Sequence, residues 1–143
     1  SQPELLSLSA IIHERLDAAM AEDFTSALPA LSPASARFIG TAGTITTLSA
    51  IDQQMEHYDP ARINNHRLSR TAIDAIFHRL AGMNRNGRSS VPGLEIGRED
   101  LIIPGAAILL HLMTRFGFDT LTVSDGGLLE GILIDAYRSQ HLP

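Results

Sequence analysis

Gly40-Thr41-Ala42-Gly43-Thr44-Ile45-Thr46-Thr47 is the stretch on which the reading of this chain turns. Ala36-Arg37-Phe38-Ile39 before it has the composition of a short strand, and Ile45, Leu48, Ile51 and Met55 after it recur at helical spacing. A Gly- and Thr-rich turn therefore joins the end of a strand to the start of a helix. Such a turn points several unpaired backbone N–H groups one way, and the helix dipole adds partial positive charge there. Gly40 and Gly43 permit close approach, and the threonine hydroxyls add neutral donors. The chemistry suited to the place is holding a phosphate or another oxyanion. The stretch matches neither a Walker A loop nor GxGxxG, and a plain tight turn with Thr44 as N-cap reads the same residues equally well.

A second unit of the same kind lies near the other end. Leu121-Thr122-Val123-Ser124 reads as a strand and Asp125-Gly126-Gly127 as a turn, followed by a helix carrying Leu128, Leu129, Ile132, Leu133 and Ala136. In open α/β sheets, ligands sit beyond the carboxyl ends of the strands, where such turns gather. If the two strands are parallel neighbours, both turns face one crevice. Two strands make a marginal sheet, so further strands are expected outside this sequence.

Between and around these units the chain reads as helices. Ser1-Gln2-Pro3-Glu4 resembles a capping box, and Leu5, Leu8, Ile12, Leu16, Ala19 and Met20 mark one face of a helix to about Glu22, with Glu14, Arg15 and Asp17 solvated. Residues 28–33 form a loop. The helix after the glycine turn runs to about His57, and Tyr58-Asp59-Pro60 ends it. Residues 60–67 are irregular. A helix begins near Ser69, with Thr71 to Asp74 as a candidate cap and Ile73, Ile76, Phe77 and Leu80 as its apolar face. Residues 84–97 form a loop. Glu99 and Asp100 favour a helix start. Leu101 to Leu112 is apolar almost all round and predicts a buried helix, kinked or restarted at Pro104-Gly105 and closed by Gly117. The expected class is α/β and helix-rich, with about two short parallel strands and five to six helices.

Composition narrows the function. The 143 residues suit one domain, with 44% hydrophobic and 19% charged residues. A net charge of −5 gives no global attraction to nucleic acid or anionic membrane, so neither is expected as a partner. With no cysteine there is no disulfide or thiol catalysis, in keeping with a cytoplasmic protein. No apolar run approaches the ~20 residues of a membrane span. The six histidines show no HxxxH or HxH spacing, so a protein-built zinc site is not expected. His111, inside the apolar helix, reads as a hydrogen-bonded core residue. No serine sits in a nucleophile-elbow pattern. Asp125 either orients a water, binds a metal through one, or caps the last helix, and Glu130 reads as solvated, hinge-facing or paired with a base. Arg67, Arg70 and Arg98 read as surface charges or as anion ligands.

Six stretches now form an ordered series: Gly40 to Thr44; Tyr58-Asp59-Pro60; His66-Arg67-Leu68-Ser69-Arg70; Pro92-Gly93-Leu94 with Arg98-Glu99-Asp100-Leu101-Ile102; Gly105-Ala106; and Ser124-Asp125-Gly126-Gly127-Leu128-Leu129-Glu130-Gly131. The series resembles the exopolyphosphatase/guanosine pentaphosphate phosphohydrolase (Ppx/GppA) family from about Phe38 to Tyr137. The resemblance implies an actin-like, ribonuclease H-like fold of two α/β domains around a cleft, and Mg²⁺-dependent hydrolysis of phosphoanhydride bonds in polyphosphate or guanosine pentaphosphate. The family's N-terminal phosphate loop, catalytic Glu and Asp-Ile-Gly-Gly-Gly-Ser-Thr-Glu stretch do not occur here. Residues 1–143 are therefore expected to be the later part of the second actin-like domain, without a catalytic residue or a metal ligand of their own, and inactive alone. By position, Gly40, Thr41, Ala42, Gly43 and Thr44 would line the phosphate cleft, with Ser124, Asp125 and Gly126 beside them and Arg67 reaching a long anionic substrate. A non-catalytic module that binds guanosine tetra- or pentaphosphate, or that dimerises, is the alternative. An unpaired sheet edge and apolar helix faces predict a homodimer.

Overall fold

The computed structural model describes residues 2–23 and 36–141. At its centre is the helix that follows the glycine turn, Gly43–Asp52. Five successive residues of this helix, Thr47 to Ile51, are buried. A helix buried on every side belongs to the middle of a fold. It meets the third strand and three other helices.

In chain order the elements are α1 (Gln2–Asp23), β1 (Ile39–Gly40), α2 (Gly43–Asp52), α3 (Pro60–Ile63), β2 (Arg67–Ser69), α4 (Arg70–Ala81), α5 (Arg85–Arg88), α6 (Ile102–Phe116), β3 (Thr120–Val123) and α7 (Leu128–His141). The sheet has the order β1-β3-β2. β1 and β3 are parallel, with Ile39 opposite Thr122 and Gly40 opposite Val123. β2 is antiparallel to β3, pairing Leu68 with Leu121. The expected parallel pair is present, and an antiparallel third strand joins it. Two of the helices, α3 and α5, are single turns of four residues.

The core is aliphatic. Leu48, Ile51, Ile63, Leu68, Ile73, Leu80, Ile102, Met113, Leu121 and Val123 are sealed from solvent. Ile73, Ile76 and Leu80 are the buried face of α4, at the spacing that the sequence carries. Leu5, Leu8 and Ile12 dock α1 against the rest, while Ala19 on the same stripe is exposed. Phe38 and Phe118 stack with centroids 5.2 Å apart. α6 and α2 cross closely, because a Cβ at Gly105 would stand 2.5 Å from the Thr44 hydroxyl oxygen.

Several local expectations are corrected. α2 stops at Asp52 rather than His57, since Gln54 adopts a φ of +50° and Met55 folds back to donate to the Ala50 carbonyl at 3.0 Å. The stretch from Pro60 opens with a helical turn, because the Asp59 carboxylate accepts from Ala61 N–H and Pro60 has its φ preset. The cap of α4 is Ser69, which accepts from Ala72 N–H at 3.1 Å; Thr71 lies inside the helix. Asn84 likewise caps a turn within the presumed loop. Pro104 neither restarts nor ends α6. It sits in the first turn, where no intrahelical bond is lost, and the helix runs through to Gly117, whose φ of +71° closes it as foreseen. The capping box at Ser1 and the loop at 28–33 lie outside the described residues.

α7 stands apart. None of its residues is buried, and Leu128, Leu129, Ile132, Leu133, Ile134 and Tyr137 are all more than half exposed.

Candidate functional site: two joined turns at the start of α2

β1 and β3 run parallel, so the turns after them leave the sheet at the same end. Two long-range hydrogen bonds fasten them together. Ser124 N–H donates to the Gly40 carbonyl at 2.8 Å, and the Thr41 hydroxyl donates to the Gly126 carbonyl at 2.8 Å. The structure thus brings Gly40, Thr41, Ala42, Gly43 and Thr44 together with Ser124, Asp125 and Gly126. Arg67 is separate: it lies exposed on β2, the outer strand beyond β3, and makes no ion pair among the described residues.

The start of α2 is unusual in its backbone. Its N-cap is Ala42 rather than Thr44, with φ +70° and ψ 176°. That region is nearly restricted to glycine, and holding alanine there costs about 1–3 kcal/mol. Ala42 has no side chain with which to cap. Among the described residues nothing accepts from the N–H groups of Gly43, Thr44 or Ile45, and the first ordered bond is Thr46 N–H to Ala42 at 3.1 Å.

The second turn offers fewer donors. Gly127 N–H donates to the Glu130 carboxylate at 2.7 Å, the reciprocal half of a capping box with Gly127 at the N-cap. That bond holds the Glu130 carboxyl below its ordinary range and explains the residue, which caps α7 instead of facing a hinge or a base. Asp125 N–H points to the Asn64 side-chain oxygen at 3.4 Å. Asp125 does not cap α7 either. Its carboxylate accepts from the Tyr58 hydroxyl. Burial of the hydroxyl, then the hydrogen bond to Asp125 and the charge of Asp125, push the Tyr58 phenol up to about 12. The residue as a whole is half exposed.

Arg98 completes the site. A Cβ on Gly43 would collide with its guanidinium, so this cation rests directly on the first residue of α2. Like charge at the positive end of a helix is unfavourable. Glu95 offsets part of it through an ion pair with Arg98 at 2.5 Å. Both residues belong to the 91–101 loop. Gly93, at φ +87°, anchors that loop where it presses on the α2 backbone at Ala50 and Ile51. Thr46, Met55, Tyr58, Leu94, Glu95 and Arg98 line a cleft of about 520 Å³ beside the turn. Sequence spacing offered no sign that Arg98, rather than Arg67, reaches Gly43. Among the described residues no three His, Asp or Glu gather as a metal site, so these side chains do not fit a resident Mg²⁺ by themselves. His111 is also not as expected: it is nearly sealed, and among the described residues its Nε2 has no hydrogen-bond partner, the Asp17 carboxylate standing 3.7 Å away. Burial, followed by the proximity of His13, lowers its pKa.

The geometry is that of an α/β domain with two joined strand–turn–helix units, the first carrying a helix start with Arg98 set against it. Residues 7–140 match the pattern of the Ppx/GppA phosphatase family, and the chain belongs to that family. It is 39% identical over 101 residues to exopolyphosphatase 2 of Mycobacterium tuberculosis, an overlap of 68% of this chain and 32% of that protein. It is 35% identical over 103 residues to the bifunctional 3-dehydroquinate synthase/phosphatase of Fusobacterium nucleatum, covering 71% of this chain and 15% of that one. The Ppx/GppA family member of Aquifex aeolicus superposes with a TM-score of 0.82 at 24% identity, over 100% of this chain and 43% of its own. An exopolyphosphatase from Cytophaga hutchinsonii gives 0.74 at 20% identity, over 92% and 42%. The fold is therefore that of the Ppx/GppA actin-like domains. The chain spans about a third of the first curated relative and under half of the solved ones. No helix among the described residues is long and apolar enough to cross a membrane.

Proposed function

We propose that this chain is the later part of the second actin-like domain of an exopolyphosphatase-type hydrolase, and that it supplies one wall of the phosphate cleft. The observation that carries the reading is the start of α2, where three N–H groups have no acceptor among the described residues and Arg98 lies on Gly43. Together they suit the terminal phosphoryl group of polyphosphate or of guanosine penta- or tetraphosphate. As water attacks phosphorus and the anhydride oxygen leaves, charge builds on the equatorial oxygens. Oriented backbone donors and a guanidinium stabilise that charge without rearranging. Thr41 and Ser124 hold the two turns in register, and Arg67 extends the positive lining for a long substrate. The nucleophile-orienting carboxylate and any Mg²⁺ ligands belong to parts of a longer protein. The setting is cytoplasmic.

Calorimetry of the chain with tripolyphosphate, and phosphate release by the longer protein with Mg²⁺, test this reading. Gly43→Ala is expected to push Arg98 aside and weaken tripolyphosphate about tenfold or more, the worth of one charge-assisted hydrogen bond. Tripolyphosphate binding that is absent, or indifferent to Gly43→Ala and Arg98→Ala, overturns it.

One observation favours an assembly role as well. α7 has no buried residue, its apolar side chains stand exposed, and β1 lies at the edge of the sheet. In a longer protein its other parts cover them; in the isolated chain a second copy does, giving a homodimer that light scattering would detect.

A further inference from the structure

Asp125 sits between the two contacts that join the turns, flanked by Ser124 and Gly126. Those neighbours are bonded to Gly40 and Thr41, just ahead of the first residue of α2, so the helix start, open among the described residues, is an alternative partner for the carboxylate. Swung inward, it would accept from the open N–H groups of Gly43, Thr44 and Ile45, as an aspartate does when it caps a helix. It would then occupy the place proposed for phosphate.

The Tyr58 hydroxyl stands in the way. It donates to Asp125, and the residue lines the same cleft as Thr46 and Arg98. Asp59, next to Tyr58, caps α3 and fixes the chain there. The phenol stays protonated throughout the physiological range, so the donor is always present.

We propose that Tyr58 is a positioning residue that holds the Asp125 carboxylate away from the α2 N-terminus, so that a phosphate rather than the protein's own acid takes the open amides. The proposal rests on the phosphate reading above. It assigns Tyr58 no contact with substrate. Its action is to remove an internal competitor, which gives a signature that simple support of the loop does not.

The test compares four forms of the chain: the natural sequence, Tyr58→Phe, Asp125→Ala and the double variant. Tripolyphosphate affinity is read by calorimetry. Tyr58→Phe is expected to weaken binding about five- to tenfold, the worth of a competing N-cap. Adding Asp125→Ala, which leaves no side-chain acceptor, is expected to restore it to within about twofold of Asp125→Ala alone. If Tyr58→Phe binds like the natural sequence, or if the double variant stays weak, the proposal is overturned. A second readout needs no ligand: the amide ¹H and ¹⁵N shifts of Gly43, Thr44 and Ile45 should move in Tyr58→Phe and return in the double variant. A natural chain that binds no tripolyphosphate defeats the phosphate reading, while the amide shifts still decide the role of Tyr58. Shifts unchanged by Tyr58→Phe defeat that role by themselves.

Discussion

Gly93 and Gly97 offer an experiment in which backbone strain and steric collision are measured separately. Both have positive φ, +87° and +91°. A methyl at either position must bear the left-handed penalty, about 1–2 kcal/mol, offset by up to about 1 kcal/mol because alanine is less free than glycine when unfolded. At Gly97 nothing lies within 4 Å of the added carbon. At Gly93 the three nearest atoms are all backbone, the Ala50 carbonyl carbon and oxygen and the Ile51 nitrogen, all too close for a real Cβ. No side chain can swing clear, so either the loop lifts or α2 gives way. Overpacking of this kind costs about 1–3 kcal/mol. Gly97→Ala should therefore lose about 1 kcal/mol and Gly93→Ala about 3. With an unfolding entropy near 2.1 cal/mol/K per residue, or about 300 cal/mol/K for 143 residues, these become drops of roughly 3 °C and 10 °C in Tm. Differential scanning calorimetry of the two variants beside the natural chain decides the matter. If they melt within about 2 °C of each other, the contact between the 91–101 loop and α2 is not tight, and the seating of Arg98 loses its foundation.

Two other outcomes follow from the same geometry. Ala42→Gly relieves a backbone conformation costing about 1–3 kcal/mol and gives back about 0.5–1 through unfolded-chain entropy, so Tm should rise by a few degrees; a fall in Tm contradicts the strain. The Glu99 carboxyl is held below its ordinary range by Gly97 N–H, so its stabilising effect is complete above about pH 4.3 and is lost as pH falls through the lower folded value. Urea titrations at pH 7 and at acid pH should show the gap between the natural chain and Glu99→Gln shrinking on acidification, and a constant gap would refute this.

The parts legible in the sequence were those written in local pattern. Ile73, Ile76 and Leu80 announce α4, the apolar run announces α6, and two glycine turns after β-prone residues announce the parallel pair. β2 was not legible, since three residues with only Leu68 facing inward cannot display a two-residue period. α3 and α5 were missed because a capping aspartate or asparagine, not periodicity, makes a four-residue turn. The site was half legible. Its first turn is contiguous, but Thr41 meets Gly126 across 85 positions and Tyr58 meets Asp125 across 67, and no spacing rule joins residues so far apart. Arg98 was hidden for the same reason.

What gives the site its meaning is the coincidence of costs. Ala42 is held in a glycine-like conformation, the α2 amides are left uncapped, and a guanidinium is set against the positive end of the helix dipole. One substitution would remove each of the first two: glycine relieves the strain, and serine or aspartate at the cap satisfies the amides. The third is moderated by Glu95 without being cancelled, because the carboxylate pairs with Arg98 while the helix end stays open. Features that each forfeit stability tend to gather where binding repays them. An oxyanion held by the α2 amides beside the Arg98 guanidinium would answer the open amides and the like-charge contact together. A neutral ligand answers neither, and a cation makes both worse.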